Sequence, residues 1–64
     1  MIVNGKKTEI EEGTTLERFL IGSEYDILRI AVELNGRIVP RFTYGQVVLK
    51  DSDSMEIVSF VGGG

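Results

Sequence analysis

Two residue types that carry much of enzyme chemistry are missing from this sequence of 64 residues, which has no cysteine and no histidine. Disulfide bonds, thiolate nucleophiles, zinc sites of the usual kind and imidazole acid–base catalysis are therefore excluded. The sequence also lacks a long apolar run and a signal-like segment after Met1. We therefore expect a soluble, cytoplasmic protein whose role is not catalysis.

Size and charge restrict the fold and the partners. A chain of 64 residues forms one small domain, which buries only roughly 60% of the surface that the unfolded chain exposes. Seven basic and ten acidic residues give a net charge of -3 and a pI of about 4.7. This balance argues against nucleic acid or an anionic membrane as the main partner, and it favours a basic protein surface.

The first third of the chain predicts a hairpin and then a helix. Asn4-Gly5 lies between two extended runs and is the strongest short-range signal for a hairpin turn. Thr14 and Glu17 have the spacing of a capping box, with the helix beginning near Thr15. Gly22 stands where a C-terminal cap is expected. The helix carries one apolar stripe, formed by Leu16, Phe19 and Leu20.

The rest of the chain predicts strands. Residues 30–34 form a strand, Asn35-Gly36 is a second turn, and the strand that follows ends at Pro40 because proline cannot donate to a ladder. The last strand is predicted over residues 55–61. We expect the apolar residues of the connections to cover the core, namely Ile27, Leu28, Phe42 and Tyr44.

This order of elements predicts an α+β fold, a mixed sheet of four to five strands with one main helix across one face. If the first and last strands pair in parallel through a right-handed crossover, the last strand lies inside the sheet. The prediction is a β-grasp, ubiquitin-like roll over residues 1–61, followed by a flexible glycine tail over residues 62–64.

The three glycines at the end of the sequence, Gly62, Gly63 and Gly64, suit a carrier that presents its own carboxyl group. Glycine loses the most conformational freedom on ordering, so these residues contribute nothing to a core. Without Cβ atoms they fit a channel too narrow for other residues. The alternatives are a frayed tail, a linker cut short or a cloning remnant.

Four segments give the whole sequence a resemblance to the ThiS family, the ubiquitin-like sulfur carriers of thiamine biosynthesis: residues 3–5, 14–16, 32–41 and 56–64. The run Asn35-Gly36-Arg37-Ile38-Val39-Pro40-Arg41 is the most discriminating, because many ubiquitin-like proteins end in Gly-Gly. Where the family often has Asp-Gly-Asp before the last strand, this sequence has Asp51-Ser52-Asp53. A serine in place of that glycine predicts either strain at a positive φ or a different turn.

The resemblance implies a carrier that partner enzymes modify and that is not itself an enzyme. A ubiquitin-activating-enzyme-like adenylyltransferase of the ThiF type would use ATP and Mg²⁺ to adenylate Gly64, while the carrier binds no cofactor or metal. A sulfur donor such as a cysteine desulfurase would convert the adenylate to a thiocarboxylate. A thiazole synthase of the ThiG type would receive the sulfur for the thiazole ring of thiamine.

Individual residues take roles in this cycle. Gly63 and Gly64 would thread the partner's channel, and Gly62 would give the tail reach. Phe60 and Val61 would dock the root of the tail. Arg37 and Arg41 are candidates for polar contacts with a partner.

Three alternatives remain from the sequence. The chain also resembles the small subunit of molybdopterin synthase, a sulfur carrier for another cofactor, although the Asn35-to-Pro40 pattern favours the thiamine branch. A non-covalent ubiquitin-like binding module with an inert tail is a second alternative. An acid–base or metal site is the weakest, since the pairs Asp51 with Asp53 and Glu11 with Glu12 are most simply solvated or capping carboxylates.

Overall fold

The structure, a computed structural model, describes residues 1–60. Residues 61–64 lie outside the described residues, so the predicted roles of Val61, Gly62, Gly63 and Gly64 stay predictions, as does the domain boundary after residue 61. The strands are β1 (Ile2–Val3), β2 (Lys6–Lys7), β3 (Ile30–Leu34), β4 (Arg37–Ile38) and β5 (Ser54–Ser59). The helix α1 spans Leu16–Gly22, and two 3₁₀ turns span Ile27–Arg29 and Arg41–Thr43.

The strands form one sheet in the order β2-β1-β5-β3-β4. β5 pairs in parallel with β1 and antiparallel with β3, so the sheet is mixed and β5 is its central strand. This confirms the α+β prediction of one main helix and a mixed sheet of four to five strands, of which the structure has five. It also confirms that the last strand lies inside the sheet, although β5 ends at Ser59 and Phe60 follows it.

Both predicted hairpin turns are present, and their backbone shows why the sequence uses Asn-Gly twice. Asn4 and Gly5 have φ angles of 51° and 82°, and Asn35 and Gly36 have 52° and 84°. Two consecutive positive φ angles define the tight turn whose twist matches paired strands. Asparagine and glycine adopt these angles most readily, so local sequence alone determines these two turns.

The core lies between α1 and the sheet. Leu16 and Leu20 of α1 are fully buried against Val32 of β3 and Met55 of β5, while Phe19 packs at the edge of this core. The predicted apolar stripe of the helix is therefore confirmed. Full burial of a leucine side chain stabilises a fold by about 1.5–3 kcal/mol, so these contacts hold the helix on the sheet.

The start of the helix differs from the predicted capping box. Thr15, not Thr14, is the N-cap, and its hydroxyl accepts a hydrogen bond from the Arg18 amide at 3.1 Å. Thr14 instead donates its hydroxyl to the Glu11 carbonyl. The Glu17 amide donates to the Tyr44 carbonyl at 3.0 Å. A loop distant in sequence thus satisfies the amide that the capping box would have used.

The end of the helix also differs from the prediction. Gly22 is the last helical residue, Ser23 is the C-cap, and Glu24 takes the left-handed position with a φ of 66°. The amides of Glu24 and Tyr25 donate back to the carbonyls of Ile21 and Leu20. These two bonds make a Schellman motif, in which glycine usually takes the position that Glu24 holds here.

Two of the four apolar residues predicted to cover the core are exposed. Ile27 and Tyr44 pack against the core, but Leu28 is 72% exposed and Phe42 is 86% exposed. Both exposed residues lie in 3₁₀ turns, where three residues complete one turn and successive side chains point in different directions. A short apolar run in such a turn can therefore bury only part of its side chains.

The turn before β5 is not strained at Ser52, which is absent from the positive-φ residues of the described chain. Asp53 is buried in this turn, where its two carboxylate oxygens accept from the Asn35 side-chain amide at 2.9 Å and the Lys50 backbone amide at 2.8 Å. The turn thus takes a different geometry from one with glycine at position 52, and Asp53 has a structural role.

The helix end supplies a stability test. We predict that Gly22→Ala raises the free energy of unfolding by about 0.5–1 kcal/mol, because alanine is the better residue in a helix. Space is available, since no atom lies within 4 Å of a Cβ at this position. Urea unfolding followed by circular dichroism measures the change.

Gly13→Ala is the matched control. Position 13 has the same free space but a φ of +88°, so alanine there should cost roughly 1–2 kcal/mol. Equal destabilisation by both substitutions would contradict the assignment of the left-handed position to Glu24.

Candidate docking face and chain exit

One face of the sheet is covered by α1, and no helix within residues 1–60 covers the opposite face. Strand register places Ala31 opposite Val58, and Glu33 between Ile38 and Glu56. Because directly opposed residues share a face of a sheet, these side chains form one surface. We call it the open face and define it by Ala31, Glu33, Ile38, Glu56 and Val58, with Phe60 at its end.

The open face is rich in exposed apolar side chains for so small a domain. Ile38 is 68% exposed, Val58 is 57% exposed and Phe60 is 51% exposed. The neighbouring residues on β5, Met55 and Ile57, alternate to the other face and are buried. Exposed apolar side chains grouped on one face, with charged side chains between them, make this face a candidate protein interaction site.

The open face also contains an unfavourable charge pair. Glu33 and Glu56 are directly opposite on neighbouring strands, and like charges in this position destabilise a sheet. Neither glutamate forms an ion pair within residues 1–60. A basic group from another molecule would neutralise this pair, which agrees with the partner charge expected from the composition.

The chain leaves the sheet at one end of the open face, which we call the exit end. The Phe60 amide donates to the Arg29 carbonyl at 2.7 Å, and Ser59 is opposite Ile30. Arg41 belongs to this end as well, since its Nε donates to the Ile27 carbonyl at 3.1 Å. This bond ties the two 3₁₀ turns together beside the outgoing chain.

The predicted partner-binding residues separate into two places. Phe60 and Arg41 lie at the exit end, both exposed. Arg37 is also exposed, but it pairs with Leu34, which is opposite Met55 near the start of β5. A partner that binds only the outgoing chain would therefore contact Arg41 and Phe60 but not Arg37. Val61 and the three glycines lie outside the described residues.

Sequence reasoning missed several residues of this region. The sequence predicts that Leu28 and Phe42 cover the core, yet both are exposed side chains of the 3₁₀ turns at the exit end. The Glu33–Glu56 pair was also missed, because its signal is strand register and not spacing along the chain. The alternation of polar and apolar residues within each strand predicts that each glutamate lies on the open face. It does not show that the two glutamates are opposite each other.

Other chemistry is not apparent in the described part of the chain. No group of three or more acidic side chains there is placed to hold a metal ion, and both oxygens of Asp53 are already hydrogen-bonded. The one nearby ion pair, Arg29 with Asp26 at 3.4 Å, joins largely exposed side chains and so contributes little. No helix within residues 1–60 is long and apolar enough to cross a membrane.

The last strand lies at the centre of a mixed sheet, and one helix packs on one face of that sheet. This arrangement defines a ubiquitin-like protein of the β-grasp class. The ThiS family model matches residues 1–64, so the chain belongs to the ThiS family.

Known proteins agree with this assignment. The chain is 36% identical to the sulfur carrier protein ThiS of Bacillus subtilis over 63 residues, covering 97% of this chain and 96% of that protein. The crystal structure of the thiamine biosynthesis protein ThiS from Geobacter metallireducens superposes with a TM-score of 0.82 at 30% identity, covering 98% of this chain and 96% of that one.

A second kind of relative is much longer. The chain is 47% identical over 62 residues to a thiazole synthase of Magnetococcus marinus, covering 97% of this chain but only 19% of that protein. The chain thus spans about a fifth of that relative's length. A region similar to the whole of this chain is therefore part of a polypeptide named as a thiazole synthase.

The acidic pair of the open face leads to a prediction for stability. Glu56→Lys replaces two opposed like charges with an opposite pair, so the free energy of unfolding should rise by about 0.2–1 kcal/mol. The gain should shrink as salt concentration rises, because salt screens exposed charges. Urea unfolding at low and high salt measures both effects.

Glu12→Lys makes the same change in net charge at an exposed loop position and should alter stability by no more than about 0.5 kcal/mol. If both variants were stabilised equally, overall charge and not the Glu33–Glu56 pair would be responsible.

Proposed function

We propose that this protein is a sulfur carrier in which the carboxyl group of Gly64 is activated as an adenylate and converted to a thiocarboxylate. The thiocarboxylate then donates its sulfur for the thiazole ring of thiamine. The observation that carries this proposal is the exit of β5, the central strand, which leads directly from the open face into the glycine-rich residues 61–64. Membership of the ThiS family supports the same function.

The chemistry explains why partners are needed. A carboxylate is a poor electrophile, so its oxygen attacks the α-phosphate of MgATP on a ThiF-type adenylyltransferase and displaces pyrophosphate. A cysteine desulfurase supplies a protein persulfide, whose terminal sulfur attacks the acyl carbon and displaces AMP. A thiol reductant then cleaves the resulting acyl disulfide, which releases the thiocarboxylate and leaves a disulfide on the sulfur donor. ATP and Mg²⁺ belong to the activating partner. We propose that the carrier acts in the cytoplasm, where MgATP is available to the activating partner.

We propose a ThiG-type thiazole synthase as the sulfur acceptor. The support is the relative from Magnetococcus marinus, in which a region similar to this chain belongs to a protein named thiazole synthase. Two functions that occur in one polypeptide act at a high effective concentration, as expected for a carrier and its acceptor. This relationship favours the thiamine branch over a carrier for molybdopterin synthesis.

The open face is the proposed docking surface for these partners. Ile38, Val58 and Phe60 supply apolar contact area, and a basic partner group would pair with Glu33 and Glu56. Phe60 is the proposed anchor, because aromatic side chains are enriched in protein interfaces and this one is half exposed where the chain leaves the open face. At the exit end, the exposed Arg41 is the proposed polar contact, whereas Arg37 would act only with a partner that covers the full length of β5.

Intact mass is the first test of the carrier chemistry. After incubation with the adenylating partner, MgATP and a sulfur donor, we expect a mass gain of one sulfur replacing one oxygen. Fragmentation should locate the change at Gly64. A parallel reaction without ATP should leave the mass unchanged, because the carboxylate is not activated.

A variant lacking Gly63 and Gly64 should fold normally and gain no sulfur. If the intact chain gained none either, with a partner shown to be active on another carrier, the proposal would be wrong. A non-covalent binding module would then be the better function, and the truncated variant would still bind the partner.

The anchor role of Phe60 has its own test. We expect Phe60→Ala to weaken binding to the adenylating partner by about tenfold or more, as loss of an interface anchor does. Because the side chain is half exposed, the free energy of unfolding should change far less than for a core residue. Calorimetric titration of the partner, beside urea unfolding, separates the two effects.

Ile21→Ala is the matched control, since Ile21 is a similarly exposed apolar residue on α1, away from the open face. It should leave partner binding unchanged. Equal affinity of the Phe60 variant and the wild-type protein would remove Phe60 from the proposed interface.

A further inference from the structure

The two Asn-Gly turns flank the central strand, one on each side, and both asparagine side chains bond to residues of β5 or its turn. Asn4 follows β1, and its side chain contacts Ile57. Asn35 follows β3, and its side chain contacts Ser54 and Asp53. The two turns are alike in backbone conformation, but Asn4 holds β5 near its end and Asn35 holds β5 at its start.

The bonds of Asn4 continue the parallel ladder beyond the end of β1. The Ile2 amide donates to the Asp53 carbonyl at 3.0 Å, and the Asn4 amide donates to the Met55 carbonyl at 2.9 Å. In a regular parallel ladder the Ile57 amide would next donate to a backbone carbonyl of the neighbouring strand. The chain turns away at Gly5, and the Ile57 amide donates to Asn4 Oδ1 at 2.7 Å instead.

The same carboxamide also supplies the donor that the ladder requires. Asn4 Nδ2 donates to the Ile57 carbonyl at 3.3 Å. A carboxamide has one carbonyl and one N–H₂ group, the same bonding groups as a peptide unit. The Asn4 side chain thus replaces one peptide of β1 and extends the edge of the sheet along β5.

We propose that Asn4 is a positioning residue, whose side chain clamps β5 at Ile57 and so fixes the direction in which the chain leaves the sheet at Phe60. On the other side of β5, Ser59 is opposite Ile30 and the Phe60 amide is bonded to Arg29. The clamp therefore restrains β5 on its β1 side three residues before Phe60. The functional part of this proposal, that the clamp orients the tail toward an activating enzyme, rests on the proposed function.

Loss of the clamp would let the chain leave the sheet in several directions. This would affect binding to the partner and not the chemical step. If only a fraction of the molecules directs the tail toward the partner's active site, the apparent affinity falls by that fraction. Once the tail is bound, the reacting atoms are the same as in the wild-type protein. Loss of the clamp should therefore raise KM for the carrier in adenylation and leave kcat unchanged.

The test compares Asn4→Gly with Asn35→Gly. Glycine retains the positive φ in both turns, and each substitution removes two side-chain hydrogen bonds. Nuclear magnetic resonance measures the hydrogen exchange of the Ile57 amide and the order parameter of the Phe60 amide. After correction for global stability, Asn4→Gly should accelerate exchange at Ile57 roughly three- to tenfold, the worth of one net hydrogen bond.

The Phe60 order parameter should fall in Asn4→Gly and stay at the wild-type value in Asn35→Gly. In ATP–pyrophosphate exchange with the adenylating partner, Asn4→Gly should raise KM by a similar factor, with kcat unchanged and Asn35→Gly near wild type. Asn4→Asp keeps the oxygen that accepts from Ile57 but loses the donor, so its Ile57 exchange rate should lie between the wild-type and Asn4→Gly rates.

Equal Ile57 exchange and equal Phe60 order in the two glycine variants would overturn the clamp. Faster exchange at Ile57 with an unchanged KM would overturn its role in orienting the tail. A wild-type chain that the partner does not adenylate would overturn the proposed function, while the exchange and order measurements would still confirm or refute the clamp.

Discussion

The pairing of β5 on both sides is the interaction on which the rest of this structure depends. A strand between two neighbours has both edges bonded, whereas an edge strand leaves one row of amides and carbonyls unpaired. β5 is the last strand in sequence but the central one in space, with β1 parallel on one side and β3 antiparallel on the other. The core residues Met55 and Ile57 are therefore held in the most restrained part of the sheet.

This position separates two requirements that conflict in a small protein. In the proposed function the end of the chain must reach into another protein, yet a 64-residue chain cannot spare much buried surface for it. On the face of the sheet that α1 covers, the side chains of β5 belong to the core as far as Ile57. On the open face, Val58 and then Phe60, which follows β5, are exposed. One face of β5 thus stabilises the fold, and the opposite face contributes to the exposed surface beside the chain exit.

The features that could be predicted from the sequence are those set by local interactions or by general rules of chain topology. Both Asn-Gly turns, the helix stripe and the parallel pairing of the first and last strands follow from local backbone preference, helical periodicity and the handedness of crossovers. The capping box was wrong because Tyr44, far along the chain, accepts from the Glu17 amide. Helix termini in so small a domain are completed by tertiary contacts that a sequence motif does not contain.

The same reasoning found the apolar and basic candidates at the chain exit but not the surface that joins them. Phe60 and Arg41 are candidates because aromatic and arginine residues are common in protein interfaces. Glu33 and Glu56, in contrast, become a pair only through strand register. Leu28 and Phe42 were assigned to the core because apolar residues usually are, and the phase of two 3₁₀ turns exposes them. Exposed apolar residues and opposed like charges are local conflicts of the kind that concentrate at functional surfaces.

Asparagine at position 4 shows how one residue type satisfies constraints at three levels. Its backbone accepts the positive φ that the hairpin needs, its main-chain amide continues the ladder to Met55, and its side chain extends the ladder to Ile57. Glycine would meet only the first two requirements, and aspartate would lack the donor for the Ile57 carbonyl. The Asn-Gly signal in the sequence therefore indicates more than a turn, because Asn4, which turns the chain from β1 into β2, also bonds through its side chain to β5.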